Sequence, residues 1–235
     1  MQPVRGLQLA LGVAMLIGTS SALGCGSSGA APAEAPGIEI ELPAARRSGP
    51  VSLEETIARR RSIREFTSRV PTDEQLGQLL WAAQGVTDAV HGRRAAPSAG
   101  ALYPLEVYVA RPDGVYHYEP QVHRLQQVVS RDEREALGQA ALSQAAVLHA
   151  PVVLAVVGFV ARTGAKYGGR AERYVSLEAG HATQNILLEA TALGLAAVPI
   201  GAFDDDGVRG ALGLPGNATP LYLVPVGFRG ERSAK

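Results

Sequence analysis

Four arginines and one serine lie within six consecutive positions, residues 59–64, in a chain whose formal net charge is zero. A guanidinium group is planar, stays charged at any working pH and matches a phosphate in shape. Two or three such groups with a serine hydroxyl could hold a phosphate monoester without a glycine-rich loop. The same run could equally be the solvated basic end of a helix, because cations are favoured near helix C-termini. The residues alone leave both interpretations open.

Two capping sequences indicate which elements would position this arginine segment. Ser52 is followed three residues later by Glu55, which predicts a helix that ends in the arginines. Thr72 and Gln75 form a second such pair, and the helix they begin is expected to end at Gly85. The arginine segment is therefore expected to lie between two helices.

Beyond residue 90 the chain alternates short strand patterns with helical ones. A loop is expected at 91–103, and the turn at 113–114 predicts a hairpin between the strands before and after it. Residues 152–160 form a continuous apolar run, which predicts a strand covered on both faces. Together these elements predict an α+β domain with a mixed sheet. Strands are expected at 105–109, 115–118, 122–129, 152–160, 196–200 and 221–228, helices at 131–148, 171–193 and 206–212, and a polar loop at 162–169.

Composition sets limits on function. The 235 residues are 46% hydrophobic, enough for one domain with a sizeable core. The neutral charge and the sparse aromatic residues argue against a nucleic-acid partner. One cysteine excludes an intramolecular disulfide and a cysteine-based zinc site, and the five histidines show no metal-binding spacing. No metal site is predicted.

The N-terminus has the pattern of a targeting segment. Arg5 precedes an apolar stretch at 7–17, which is too short to span a bilayer, and the sequence then reaches Cys25 through Ala22-Leu23-Gly24. This is similar to a bacterial lipobox, so residues 1–25 are predicted to be a signal peptide with Cys25 lipidated. The predicted lipoprotein is exported, and the lipid is its only membrane contact.

Two alternatives to the lipid anchor stay open. One is an ordinary secretory signal that is cleaved nearby. The other is a cytoplasmic protein whose translation starts near Val51. Residues 26–50 are rich in Gly, Ser, Ala and Pro and are predicted to be a flexible linker to a domain at 51–235.

Five segments, in order along the chain, resemble the nitroreductase superfamily and, within it, the SagB/ThcOx azoline-dehydrogenase branch. The resemblance implies a nitroreductase-like fold, with a mainly antiparallel sheet surrounded by helices, that forms a homodimer. The segments are Arg60-Arg61-Ser62-Ile63-Arg64-Glu65-Phe66, Pro97-Ser98-Ala99-Gly100-Ala101-Leu102-Tyr103-Pro104-Leu105-Glu106, Leu177-Glu178-Ala179-Gly180-His181-Ala182-Thr183-Gln184-Asn185, Ala197-Val198-Pro199-Ile200-Gly201 and Val224-Pro225-Val226-Gly227-Phe228.

The resemblance also implies FMN as cofactor and assigns residues to it. Arg60, Ser62 and Arg64 would bind the FMN phosphate, while Arg61 either contributes or faces solvent. Arg229 is the expected basic residue at the end of the last strand. The flavin ring would lie against a loop of small residues and two further segments, and the residues expected there are Pro97, Ser98, Ala99, Gly100, Ala101, Gln184, Ile200 and Gly201.

Lys166 and Tyr167 resemble the pair that is proposed in azoline oxidases to remove a proton while the flavin takes a hydride. The implied activity is hydride transfer between FMN and a small organic or peptide substrate, with NAD(P)H as an electron donor in many family members. Export conflicts with a peptide-modifying role, because that branch acts with cytoplasmic partners. The alternative is a non-catalytic flavin-binding lipoprotein that uses the fold as a binding module.

Overall fold

Seven strands of the computed structural model, which describes residues 37–230, form a single sheet in the order β1-β6-β5-β4-β7-β9-β8. All of the strand pairs in this sheet are antiparallel. A separate two-stranded ribbon is made of β2 and β3. The strands are β1 (Glu39–Glu41), β2 (Val86–Asp88), β3 (Arg93–Arg94), β4 (Leu105–Arg111), β5 (Gly114–Glu119), β6 (Arg124–Val129), β7 (Val152–Gly158), β8 (Ala196–Ala197) and β9 (Thr219–Gly227).

Helices surround the sheet, and the predicted α+β class with a mainly antiparallel sheet is confirmed. Single 3-10 turns lie at Ala99–Ala101 and Gly168–Arg170. No helix within residues 37–230 has the length and hydropathy needed to cross a bilayer. The α-helices are α1 (Leu53–Arg59), α2 (Asp73–Gln84), α3 (Arg134–Ala140), α4 (Ala145–Leu148), α5 (Val160–Tyr167), α6 (Ala171–Ala192) and α7 (Asp205–Leu212).

β7 is the centre of the core, because both of its faces are covered. Side chains alternate across a strand, so even-numbered and odd-numbered residues of β7 face opposite ways. Val152, Leu154 and Val156 belong to the apolar cluster that contains the buried side of α6. Val153, Ala155 and Val157 belong to a second cluster with α3 and α7. The continuous apolar run therefore has the doubly covered position that the sequence predicted.

The two predicted helix starts near the arginine segment are also confirmed. The Glu55 N–H donates to Ser52 Oγ at 3.1 Å, which satisfies one of the free donors at the start of α1. At α2 the exchange is reciprocal, because Thr72 accepts from the Gln75 N–H and the Gln75 side chain accepts from the Thr72 N–H. The two caps fix the first turns of α1 and α2, and the arginine segment follows the end of α1.

Two predictions on the C-terminal half were wrong. The helix expected at 131–148 is broken into α3 and α4, with Leu142 and Ser143 at φ of 58° and 55°. The chain reverses between α3 and α4, and the two short helices pack against each other. Their approach is close, because a Cβ on Gly138 would lie 2.2 Å from Leu148 Cδ2. The polar loop expected at 162–169 is mostly α5, whose more covered residues at 160, 163, 164 and 167 follow helical spacing.

The domain also begins earlier than predicted. Residues 37–50 are not a linker, because β1 pairs with β6 and Leu42 is buried in the core. The buried Gln78 amide accepts from the Arg46 N–H at 2.8 Å and donates to the Arg46 carbonyl at 3.0 Å. The predicted signal peptide, Cys25 and the linker as far as residue 36 lie outside the described residues.

Candidate functional site

The arginine segment runs along the open edge of the sheet. Ser62 forms a parallel bridge with Ala197 in the edge strand β8, and the Ile63 N–H donates to the Ala197 carbonyl at 3.1 Å. Four residues later Phe66 forms an antiparallel bridge with Arg229, just past the end of β9. Backbone pairing therefore brings the arginine segment and Arg229, which are distant in sequence, to one edge of the sheet.

Two of the arginines in this segment already have partners. Arg59 Nη1 lies 2.8 Å from Glu55 Oε1, one turn earlier on the surface of α1. Arg61 Nη1 donates to the carbonyls of Ala58 and Arg60, at 2.8 Å each, and so caps the C-terminal end of α1. Arg61 therefore has a local structural role, and Arg59 is a surface residue.

The remaining arginines fit a phosphate. Within residues 37–230, Arg60, Arg64 and Arg229 have no carboxylate oxygen within the 4.0 Å of an ion pair, whereas half of the arginines in this range do. Ser62, between the first two, is exposed. Three cations without carboxylate partners and one hydroxyl at a single edge provide the charge and donors that a dianionic phosphate needs.

The small-residue loop adopts an unusual backbone conformation. Gly100, Ala101 and Tyr103 all have left-handed φ values of 63°, 55° and 46°. Ser98 holds the turn from inside, since its hydroxyl accepts from the Tyr103 N–H at 2.8 Å and its carbonyl accepts from the Ala101 N–H at 3.1 Å. Such strained segments persist only where the surroundings hold them, and they are common at ligand sites.

Lys166 and Tyr167 lie directly against this loop. A Cβ built on Gly100 would lie 2.8 Å from Lys166 Nζ and 2.8 Å from Tyr167 Oη. The Tyr167 ring also meets the Tyr174 ring edge-on, with centroids 5.1 Å apart. The structure therefore brings together the predicted catalytic pair and the predicted flavin-ring loop, two features that are more than sixty residues apart in sequence.

Glu178 holds the other side of the loop and was not predicted as a site residue. Its carboxylate Oε1 accepts from the Ala99 N–H at 2.8 Å, and the residue is only 5% exposed. A buried charged residue on the apolar side of a long helix was the signal that could have identified it.

A second acidic residue, Glu106, stabilises the C-terminal end of the loop. It accepts from Arg162 at 2.5 Å and is hydrogen-bonded to His117 at 2.9 Å, while Arg162 also donates to the Tyr103 carbonyl. Burial by itself would raise the pKa of Glu106, but hydrogen bonds from His117 and Arg162 outweigh it and leave the pKa below its ordinary value. Glu106 is therefore ionised near neutral pH and fixes the base of the loop.

The other predicted residues differ in what they can contribute. Pro97 and Gln184 are exposed, on the loop and on α6. Ile200 is buried, and its N–H and carbonyl both pair with Leu223, so it has no polar group left for a cofactor. Gly201 is exposed, and a Cβ there would meet only Tyr222 at 3.9 Å, which leaves open space beside the sheet.

The two halves of the candidate site adjoin different parts of α6. The loop contacts α6 at Glu178, whereas the arginine segment contacts β8, which follows the C-terminal end of α6 at Ala192. Fourteen residues of helix separate these points, about 21 Å at 1.5 Å per residue. In one copy of the chain the two half-sites therefore adjoin different points along α6, and no hydrogen bond or ion pair within residues 37–230 joins them.

Comparisons with known proteins identify a family. A model of the nitroreductase family matches residues 57–228. A candidate nitroreductase of Methanocaldococcus jannaschii is 41% identical over 200 residues, which cover 83% of this chain and 98% of that protein.

Solved structures show the same fold. A candidate nitroreductase from Ralstonia eutropha superposes with a TM-score of 0.75 at 28% identity, covering 84% of this chain and 94% of that one. An NADPH:FMN oxidoreductase from Vibrio harveyi, solved with NAD+, superposes with a TM-score of 0.57 at 25% identity, covering 76% of this chain and 69% of that one.

Proposed function

Because the chain belongs to the nitroreductase family, we propose that it is an FMN-dependent oxidoreductase that acts on a small organic or peptide substrate. The observation that carries the proposal is the convergence of Arg60, Arg64 and Arg229, without carboxylate partners among residues 37–230, on one sheet edge beside Ser62. When bound, FMN would supply two-electron chemistry, in which hydride is accepted or given.

The residues of this chain divide the work of holding the cofactor. Arg60, Arg64 and Arg229 bind the phosphate, and the Ser62 hydroxyl donates to it. Gly201 has open space where a side chain would be, so the flat flavin ring can lie beside the sheet at this position. The residues of the strained loop present backbone groups to the ring edge. Ile200 is left out of this set because its polar groups are already paired.

We also propose that the functional unit is a homodimer in which each flavin lies between the arginine segment of one subunit and the loop of its partner. Two half-sites about 21 Å apart along α6 can meet across a two-fold axis if the α6 helices pack antiparallel. Leu53 and Ile57 on α1, 60% and 56% exposed, and Leu177 on α6, 52% exposed, provide apolar surface near the two half-sites.

For the chemistry, Lys166 and Tyr167 are the proposed catalytic pair. Their contact with Gly100 places an amine and a phenol beside the loop, where either could remove a proton from a C–H bond next to a C=N. NAD(P)H is the proposed electron donor, by analogy with the NADPH:FMN oxidoreductase. The azoline substrate and the lipid anchor at Cys25, with export, stay predictions from the sequence.

The test of the main proposal is the visible spectrum of the purified chain. We expect a yellow protein with flavin absorption that a reductant bleaches and air restores, because the site should retain FMN through purification. A non-catalytic flavin-binding module would show the colour without turnover of NAD(P)H or any organic acceptor. A colourless chain that takes up no added FMN would contradict the proposal.

The catalytic pair can be tested separately from flavin binding. We expect Lys166→Ala to keep its FMN and to oxidise a thiazoline test compound at least about 100-fold more slowly, since removal of a general base costs roughly 10²–10⁴-fold. Lys166 is exposed, so the substitution should leave the fold intact. The measurement is single-turnover oxidation of the thiazoline, with Arg173→Ala, another exposed cation, as the matched control. Unchanged oxidation in Lys166→Ala would remove Lys166 from the mechanism.

A further inference from the structure

A cavity of about 570 Å³ lies between the segment 46–51, one side of α2 and the C-terminal end of α6. Its volume falls within the range of small-molecule sites, about 300–1,000 Å³. Of the described residues that line it, none is assigned to FMN, and none is Leu53, Ile57 or Leu177 of the proposed dimer contact. The cavity is therefore separate from the flavin site and from the apolar surface of the proposed interface.

Two walls of this cavity are held in place by specific contacts. The buried Gln78 amide is hydrogen-bonded to both backbone groups of Arg46, which fixes the start of the segment 46–51 against α2. The Trp81 ring lies against Gly85, where a Cβ would be only 2.2 Å from Trp81 Cδ1, so the ring needs a glycine at this position. Both the covering segment and the indole wall therefore have defined positions.

Charges of both signs face the cavity without pairing. Arg47 and Arg69 line it, and within residues 37–230 neither has a carboxylate oxygen within 4.0 Å. Glu189, half-buried on α6, lines it too, and in the same range no cationic nitrogen lies within 4.0 Å of its carboxylate. Arg46 and Glu74, which also line it, lie 3.9 Å apart at an exposed position.

The other contacts of the two arginines are weak. Arg47 Nη1 donates to the Thr87 carbonyl at 3.4 Å, and the Arg69 guanidinium lies 4.0 Å from the centroid of the Phe228 ring. Each guanidinium has five N–H donors, so both arginines can still bind a carboxylate.

Glu189 gains from a cation at the same cavity. Burial raises the pKa of the Glu189 carboxyl, and a hydrogen bond from Gln78 and the charge of Arg46 offset this only in part. An ammonium group that donates to Glu189 would offset the rest. A ligand with a single charge would leave either the arginines or this carboxylate without a partner.

An α-amino acid carries both of the missing charges. Its carboxylate matches the guanidinium groups of Arg47 and Arg69, and its ammonium can donate to the Glu189 carboxylate. Trp81 and Leu193 provide apolar surface for its side chain. We infer that this cavity is a binding site for a small zwitterion with an apolar side chain, either a free amino acid or a short peptide.

Trp81 allows a direct test, because it is the only tryptophan of the chain and its fluorescence therefore reports on this cavity. We expect phenylalanine, titrated into the full chain at about pH 7, to change the Trp81 emission saturably. Phenylpropionate lacks the ammonium and phenylethylamine lacks the carboxylate, so each should bind at least about tenfold more weakly. Equal affinity of either analogue would overturn the inference.

Glycyl-phenylalanine, titrated in parallel, distinguishes the two sources of the zwitterion. In this dipeptide the ammonium and the carboxylate are farther apart than in phenylalanine. Tighter binding of the dipeptide would support the site and assign it to peptides, and tighter binding of phenylalanine would support it and assign it to free amino acids. The absence of a saturable response to both compounds would overturn the inference.

Two variants test the assignment of the residues. Arg47→Ala/Arg69→Ala removes two exposed cations, and we expect it to bind phenylalanine at least about tenfold more weakly. Glu189→Gln keeps the size of the side chain and should abolish the preference for phenylalanine over phenylpropionate. Arg59→Ala, at an exposed arginine outside the cavity, is the matched control and should bind phenylalanine normally.

Each variant can contradict the site. Undiminished phenylalanine binding by Arg47→Ala/Arg69→Ala would do so, and so would a retained preference in Glu189→Gln. The double arginine variant decides alone if Glu189→Gln does not fold, because both arginines are exposed.

The phenylalanine titration is repeated by calorimetry on the FMN-loaded and the FMN-free chain. Binding to both forms supports a site separate from the flavin, whereas binding only to the FMN-free form would assign the cavity to the cofactor and overturn the inference. A chain that takes up no FMN would contradict the proposed function, and the FMN-free titration would still decide the cavity.

Discussion

The double variant Arg60→Ala/Arg64→Ala is expected to be purified colourless and to bind added FMN at least about 100-fold more weakly than the unaltered chain. Each hydrogen bond to a charged group contributes about 1.5–3 kcal/mol, and a tenfold change in affinity corresponds to about 1.4 kcal/mol. Both side chains lie on the sheet edge without carboxylate partners among residues 37–230, so their loss leaves no buried charge unpaired. The measurement is quenching of FMN fluorescence on titration.

Arg59→Ala is the matched control for charge in the same segment. Arg59 is exposed and pairs only with Glu55 on the surface of α1, an interaction worth about 0.3–0.5 kcal/mol. We expect this variant to keep its FMN affinity and its urea midpoint within error. If Arg59→Ala lost FMN as strongly as the double variant, the effect would come from total charge, and the phosphate assignment would be wrong.

Local sequence signals were enough to predict most elements. The capping pairs at Ser52 and Thr72 and the long apolar stripe of α6 act within one or two helical turns, and the structure confirms each. The break between α3 and α4 was missed because it depends on the close approach of Gly138 and Leu148, which belong to different helices. Local patterns carry no information about such a tertiary contact.

The early start of the domain was missed for a related reason. The Gly, Ser and Pro content of residues 26–50 is typical of a linker, whereas the short alternating stretch Ile38-Glu39-Ile40-Glu41 forms β1. Within residues 37–230, β6 is the strand that pairs with it. A short edge strand is stabilised by its neighbour rather than by its own propensity.

In the candidate site, too, features made of neighbouring residues were predicted, whereas features that depend on tertiary contacts were missed. The arginine segment and the small-residue loop were recognisable because each is a run of neighbouring residues of special types. Glu178 and Arg162 were not, since they contact the loop from positions 79 and 59 residues away. Glu106 adjoins the loop, but its role depends on tertiary partners, His117 and Arg162. Ile200 was expected at the cofactor because it adjoins Gly201, but strand pairing turns it into the core.

The separation of the half-sites leads to the most demanding prediction. Gly100→Val is expected to lose flavin binding and turnover, because its φ of 63° strains a β-branched residue and its Cβ would displace Lys166 and Tyr167. Gly216→Val is the matched control, since its backbone φ is ordinary and a Cβ there meets nothing within 4 Å. The control should retain full FMN content and activity.

A mixed dimer then distinguishes a shared site from a site within one chain. Gly100→Val supplies an intact arginine segment, and Arg60→Ala/Arg64→Ala supplies an intact loop. In a two-fold dimer with shared sites, a heterodimer of these two variants has one complete site and one doubly damaged site. We expect the two homodimers to be colourless and the purified heterodimer, made by co-expression with two tags, to hold about half the FMN of the unaltered dimer. If each flavin were bound within a single chain, every subunit of the heterodimer would carry one damaged half-site. The heterodimer would then be colourless, and that result would contradict the shared site.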